Sequence, residues 1–158
     1  MAYNPTNFIQ AQQLTETSTV QKHPLGTVVK ANDPTFGEGE FIYLKGVAST
    51  AVGDVVAFSL ATGTTTRCLA ATRGPLAIAM SANVANQYGW YCIRGNVPVS
   101  AAGAVVIGAV VYLTATAGAV DDAVTAGSGV SGITFTTAPS GVGTFAADVF
   151  YPTANGLA

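Results

Sequence analysis

The chain is 158 residues long, enough for one domain with a proper core, and carries 9% charged residues and a net charge of −2. An average soluble domain is about a quarter charged, so this composition predicts that much of the surface is buried in an assembly. Its six basic residues, Lys22, Lys30, Lys45, Arg67, Arg73 and Arg94, are scattered and form no stripe for a phosphate backbone, which argues against nucleic acid as a partner.

Residues 1–23, "MAYNPTNFIQAQQLTETSTVQKH", are polar, with apolar residues too widely spaced for an amphipathic stripe. They predict an extended or partly ordered N-terminal arm of the kind that lies on a neighbouring subunit. Its first residues have no basic and apolar regions of a leader. On this reading, deleting Met1 to Lys22 leaves the rest folded. His23 is the single histidine, placed before Pro24 with no G-x-S-x-G elbow in the chain, and reads as an exposed or interface residue.

Residues 24–158 read as one β-domain. "LGTVVKA" is a β-branched run, "NDPTFGEG" a turn-rich loop, and "EFIYLKGV" a strand in which Phe41, Tyr43 and Lys45 share a face. Glu38 and Glu40, two apart, would face one side of a strand, where carboxylates can seat a cation or serve acid–base chemistry; at a glycine turn they are more simply solvated. "GDVVAFSL" and "GPLAIAMS" are further strands, and Cys68 and Cys92 are too few and too far apart for a zinc framework, so both read as buried, reduced thiols.

The run "QYGWYCIRG" (Gln87 to Gly95) alternates, with Trp90, Cys92 and Arg94 on one side and Tyr91 and Ile93 on the other. It predicts a central strand with Trp90 and Cys92 in the core; the competing reading is an exposed aromatic platform for a sugar or a base. From Gly95 to Val120 no residue is charged, yet Pro98, Gly103, Gly108 and Gly118 break the run, which predicts two strands around a turn in place of a membrane span. "VGDVVAFSLATG" (Val52 to Gly63) and "IGAVVYLTATAG" (Ile107 to Gly118) align without gaps. β-rich chains use few building blocks, so duplication and coincidence both stay open. Asp121 and Asp122 read as turn residues. "GSGVSG" (Gly127 to Gly132) fits G-x-G-x-x-G by letter, but the β-prone "ITFTT" follows where a dinucleotide site needs a helix.

Short strands separated by Gly and Thr turns, with "SGITFTTA" and "GTFAADVFYP" as the last, predict an all-β fold: a single sandwich or barrel, jelly-roll-like, with the N-terminal arm. No constellation of catalytic, cofactor-binding or metal-ligating residues emerges.

"HPLGTVVKANDPTFGEGEFIYLKGVASTAVGDVV" and "GPLAIAMSANVANQYGWYCIRG" resemble a group of small tailed-bacteriophage virion proteins, similar to capsid decoration (cement) proteins. The likeness covers His23 to about Asp122; the arm and the C-terminal region match in composition only. The resemblance implies a non-enzymatic protein on the capsid exterior, assembled in the host cytoplasm. Its partner would be the major capsid protein, and it would form a homo-oligomer, a dimer or trimer, with no cofactor and no membrane. Two other classes remain: a virion- or cell-surface carbohydrate-binding or adhesin module, which needs Trp90 or tyrosines exposed, and a small hydrolase using Cys92 or Glu40.

Overall fold

The computed structural model describes residues 4–5 and 12–156. Eleven strands and no helix occur among them: β1 (Asn4–Pro5), β2 (Val28–Asp33), β3 (Gly37–Lys45), β4 (Val55–Phe58), β5 (Thr65–Arg67), β6 (Gly74–Ala79), β7 (Tyr88–Ala101), β8 (Val111–Leu113), β9 (Val120–Asp121), β10 (Gly129–Phe135) and β11 (Gly143–Ala154). The chain is all-β, as its strand and turn spacing predicts. The strands form one mixed sheet in the order β1-β2-β3-β7-β9-β8-β10-β11-β6-β4-β5. The uncharged run from Gly95 to Val120 supplies the second half of β7, then β8 and the start of β9. No helix among the described residues is long and apolar enough to cross a membrane.

The sheet closes on itself twice. In the first ring β3 pairs with β7, β7 with β6, β6 with β4 and β4 with β5, and a parallel bridge from Thr64 to Lys45 returns to β3. In the second, β7 pairs with β11, β11 with β10, β10 with β8 and β8 with β9, and Val120 returns to Ala101 of β7 in parallel. Closure gives most of these strands a partner on each side over at least part of their length and so shortens the edges that would otherwise recruit other chains. The long β7 serves both rings, its first half in one and its second half in the other.

The two rings are one unit repeated after 55 residues. The sequence echo maps β4 onto β8, and Gly53 and Gly63 onto Gly108 and Gly118, all four left-handed. The register Phe58↔Thr65, Ala57↔Thr66 reappears without slip as Leu113↔Val120, Tyr112↔Asp121. Likewise Glu40↔Arg94 reappears as Gly95↔Val149. The echo therefore marks a five-strand unit that the structure repeats at a 55-residue offset. It persists where geometry limits the residue: at Gly118 the backbone has φ 79° and a Cβ would lie 2.6 Å from Asp54 Cγ.

That turn locks the rings together. Val55 N–H donates to Gly118 O at 2.8 Å and Gly118 N–H to Cys68 O at 2.8 Å. Arg67 Nη2 donates to Ala117 O, and its Nε meets the buried Asp54 carboxylate, both at 2.7 Å. Asp54 also accepts the Ala51 N–H.

β7 is buried on both faces at its N-terminal half. Trp90 and Cys92 join Phe41, Tyr43 and Ile78 in the larger core cluster, which continues into Val97, Val99, Val111 and Leu113 of the second ring. Tyr91 and Ile93 join Ile42, Leu44, Val56 and Ala79 in a smaller one. The alternation read from the sequence holds from Trp90 to Ile93, and Trp90 is a core residue with no exposed surface. Arg94 departs from it: a bulge at Ile93 shifts the register, so Arg94 lies opposite Glu40 and Phe150 on the outer side, away from Trp90 and Cys92.

Residues 12–23 differ from the sequence expectation of an arm laid on a neighbour: they pack on their own domain. Gln12, Leu14 and His23 are buried. Gln12 Nε2 donates to the carbonyls of Glu16 and Tyr88, its Oε1 accepts the Tyr43 O–H at 2.9 Å, and its carbonyl accepts the Trp90 indole N–H at 3.2 Å. Ser18 and Tyr88 exchange two backbone hydrogen bonds. A polar segment can be buried when its polar atoms are satisfied one by one, and composition does not register that. The rest of the expected arm, apart from β1, lies outside the described residues.

Candidate functional site

The nucleophile candidates are inside the protein. Cys68 and Cys92 are free thiols without exposed surface. Burial pushes the Cys68 pKa up to about 12 and that of Cys92 higher still. The thiolate is the reactive form, so neither group is activated near neutral pH. His23 lies edge-on to Tyr43, with ring centroids 5.0 Å apart, and 5.2 Å from Trp90. Burial, aided by the charge of Lys22, holds its pKa below 6.5. This places it in an aromatic cluster of the core, not at the exposed position read from the sequence.

The remaining motifs are structural. "GSGVSG" runs straight into β10, and Gly132 within it has φ 79° and sits against the Phe150 carbonyl. Asp121 accepts the Ala123 N–H as a turn residue, and Asp122 accepts the Val106 N–H at 2.9 Å. Among the described residues no three His, Cys, Asp or Glu side chains gather closely enough to hold a metal ion.

One polar cluster does form on the surface, around the two glutamates of β3. Glu38 and Glu40 face the same side, as the two-residue spacing requires. β2 brings Lys30 to 3.6 Å from Glu38 and 3.7 Å from Glu40, and β7 brings Arg94 to 3.1 Å and 3.5 Å from the same pair. The interleaved charges cancel. Pairs this exposed are worth about 0–1 kcal/mol each, so the cluster adds little stability and mainly defines a surface. Glu40, with its side chain only 13% exposed, is the most enclosed member.

β11 adds an aromatic edge. Tyr151 donates its O–H to Glu40, and that hydrogen bond, with a little burial and the carboxylate charge, raises the Tyr151 pKa above 10. Its φ is 43°, an unusual backbone for a bulky residue and the kind of local strain often found at working surfaces. Phe150 stands edge-on to it, with ring centroids 5.1 Å apart, and both side chains are exposed. A cleft of about 260 Å³ beside them is lined by Phe36, Glu38, Arg94, Asn96, Asp148 and Phe150, among others. Asn96 Nδ2 donates to Asp148 Oδ1 at 2.8 Å. The arrangement offers carboxylate, guanidinium and amide groups beside two aromatic faces, and suits recognition of a polar surface.

Glu38 and Glu40 are candidates from sequence; Lys30 and Tyr151 join them only in the structure. Lys30 was within reach: counting outward from the turn, Asp33 opposes Gly37 and three further steps set Lys30 against Glu40. Tyr151 was not, because it reaches Glu40 from 111 residues away.

Comparison of the chain with protein-family models, characterised proteins and solved structures gives no match.

Proposed function

We propose that the chain is a structural protein of a tailed-bacteriophage virion, a decoration or cement protein. On this reading it binds the major capsid protein on the outside of the shell, as a homo-oligomer, and stabilises the shell against internal DNA pressure. The observation that supports the reading is the set of large apolar side chains left facing solvent on a weakly charged, jelly-roll-compatible β scaffold. Leu60, Val106, Ile107, Val110, Val124, Val142 and Phe150 are all exposed. Scattered apolar residues are ordinary, but this many, with so few charges to disperse the protein, favours a surface completed by partners. Modest contacts repeated by icosahedral symmetry then hold through avidity. Mixing the purified protein with empty capsids tests the reading: ordered, stoichiometric density on the shell supports it, and absence of binding refutes it.

A second reading is favoured by Phe150 and Tyr151. Two exposed aromatics beside Glu40, Arg94 and Asn96 also suit a carbohydrate-binding or adhesin surface, which calls for Trp90 or tyrosines exposed: Trp90 is buried and Tyr151 is exposed. A glycan array with the native chain and Tyr151→Ala separates the two: glycan binding lost in the variant supports the adhesin.

A further inference from the structure

The repeat shows where the second ring departs from the first. In the first ring the start of β4 is zipped onto β6 through Val55↔Ile78, and the pairing continues beyond it: Gly53 N–H donates to Ala79 O and Ala79 N–H to Asp54 O, both at 2.9 Å. The equivalents of Gly53, Asp54 and Val55 are Gly108, Ala109 and Val110. There the β8–β10 ladder stops at Val111↔Val130. Gly53 and Gly108 turn the chain alike, with φ 87° and 79°. Yet Val55 has no exposed surface, and Val110 is 62% exposed.

Two substitutions and one bulge explain the difference. The ion pair that ties β4 to β5, Asp54 with Arg67, has Ala109 and Asp122 in its place. Asp122 instead holds the Val106 N–H, drawing the segment outward. Opposite the Ser131 to Ile133 step of β10, β11 carries a bulge at 150–152, and the register of β10 on β8 is slipped by two residues: Val56↔Ala77 would become Val111↔Gly132, but Val111 faces Val130.

The result is a groove of about 430 Å³ between Gly108–Val110 and the Ser131–Thr134 stretch of β10. Among the described residues that stretch has a strand partner on one side only, β11. None of the groove's lining residues is charged. One molecule thus presents both halves of a complementary pair: an open strand edge and, beside it, an exposed uncharged β-branched segment with Val106, Ile107 and Val110 outward.

We propose that a second copy of this chain fills the groove, the 108–110 stretch of each copy adding to the β10 edge of the other while the 106–109 turn lies beside it. The occupant is argued from self-complementarity. An isologous interface needs donor and acceptor on the same patch, so that a two-fold axis satisfies both at once. The first ring supplies the template, since there the equivalent stretch, Gly53 to Val55, pairs with the equivalent strand, β6. A charged partner segment has no counter-charge in the groove, whereas "AVVIGAV" (Ala104 to Val110) is uncharged. Added strands gain affinity from main-chain hydrogen bonds, and the pairing removes an edge that would invite aggregation. The inference gives a location to the homo-oligomer of the proposed function, and its test needs no capsid, so failure to bind shells leaves it standing.

The experiment is sedimentation of the full chain at micromolar concentration, native and with Val110→Lys, Ile107→Lys or Leu60→Lys. All three positions are exposed, so the variants keep the fold. A native dimer weakened about tenfold or more by the first two and unchanged by Leu60→Lys is expected. A native monomer, or equal weakening by all three, overturns the proposal. In a second measurement, copies carrying only Val110→Cys and copies carrying only Thr134→Cys are mixed and treated with a short bismaleimide. Cross-linked heterodimers are expected, and an exclusively intramolecular link in the doubly substituted chain would show the segment closing on its own β10 and refute the exchange.

Discussion

Replacing Gln12 by alanine tests whether residues 12–23 belong to this domain. Gln12 is 2% exposed, and its side chain makes three hydrogen bonds, with Tyr43, Glu16 and Tyr88. Net contributions of about 0.5–1.5 kcal/mol per bond give about 3 kcal/mol for the set. For a domain of this length that lowers Tm by about 6–12 °C. The single tryptophan is a built-in reporter, because the Trp90 indole N–H donates to the Gln12 carbonyl. Thermal and urea unfolding, followed by Trp90 emission, should show the loss and a shift of native emission toward the solvated value. The gap between variant and native chain should not change with protein concentration, since the docking is within one chain. A Tm loss below about 1 °C with unchanged emission would refute the docking, as would a gap that varies with concentration. Deleting Met1 to Lys22 should likewise destabilise the β-domain, contrary to the expectation for a free arm.

Arg67→Ala leaves the buried Asp54 carboxylate without its partner and frees the 114–118 turn; a loss of about 2–4 kcal/mol is expected in urea unfolding, and a loss under about 0.5 kcal/mol would show that the pair does not lock the rings. Gly132→Ala places a Cβ against the Phe150 carbonyl at a backbone of φ 79° and should cost about 2 kcal/mol or more by the same assay, where a neutral result would deny the bulge. The His23 pKa is lowered on folding, so the unfolded chain binds its proton more readily; the associated stability is complete above pH 6.5 and is lost as pH falls through the folded value. The unfolding free energy from urea titration should therefore fall between pH 7.5 and 5.5, by at most about 1.4 kcal/mol per pH unit, and His23→Asn should flatten that slope. Both cysteines should resist a thiol reagent at pH 8 until denaturant is added, and rapid labelling of the native chain would contradict their burial.

Much of this fold was legible because strand alternation is local. The run Trp90 to Ile93 declares its two faces by residue type alone, and the structure keeps both; the bulge that turns Arg94 to the other side has no local signal. The repeat was half legible: its turns need glycine at the left-handed positions 53, 63, 108 and 118, while a strand position accepts Val, Ile, Leu or Phe, so the echo covered only β4 and β8. Ring closure was not legible, since it depends on pairings such as Ala101↔Val120 that no local pattern encodes. The polar cluster shows the same division: Lys30 and Glu40 face each other across a hairpin countable from its turn, whereas Arg94 and Tyr151 arrive by long-range register. Gln12 misled because polarity argues for solvent until each hydrogen-bond partner is known.

The proposed role, covering a capsid, is open to direct observation. The most direct measurement is electron microscopy of empty tailed-phage shells incubated with the purified chain, beside shells alone. The account predicts ordered density at symmetry-related sites on the outer surface, at fixed stoichiometry, with shells that withstand more heat. Bare shells together with binding to a defined glycan, abolished by Tyr151→Ala, would contradict it.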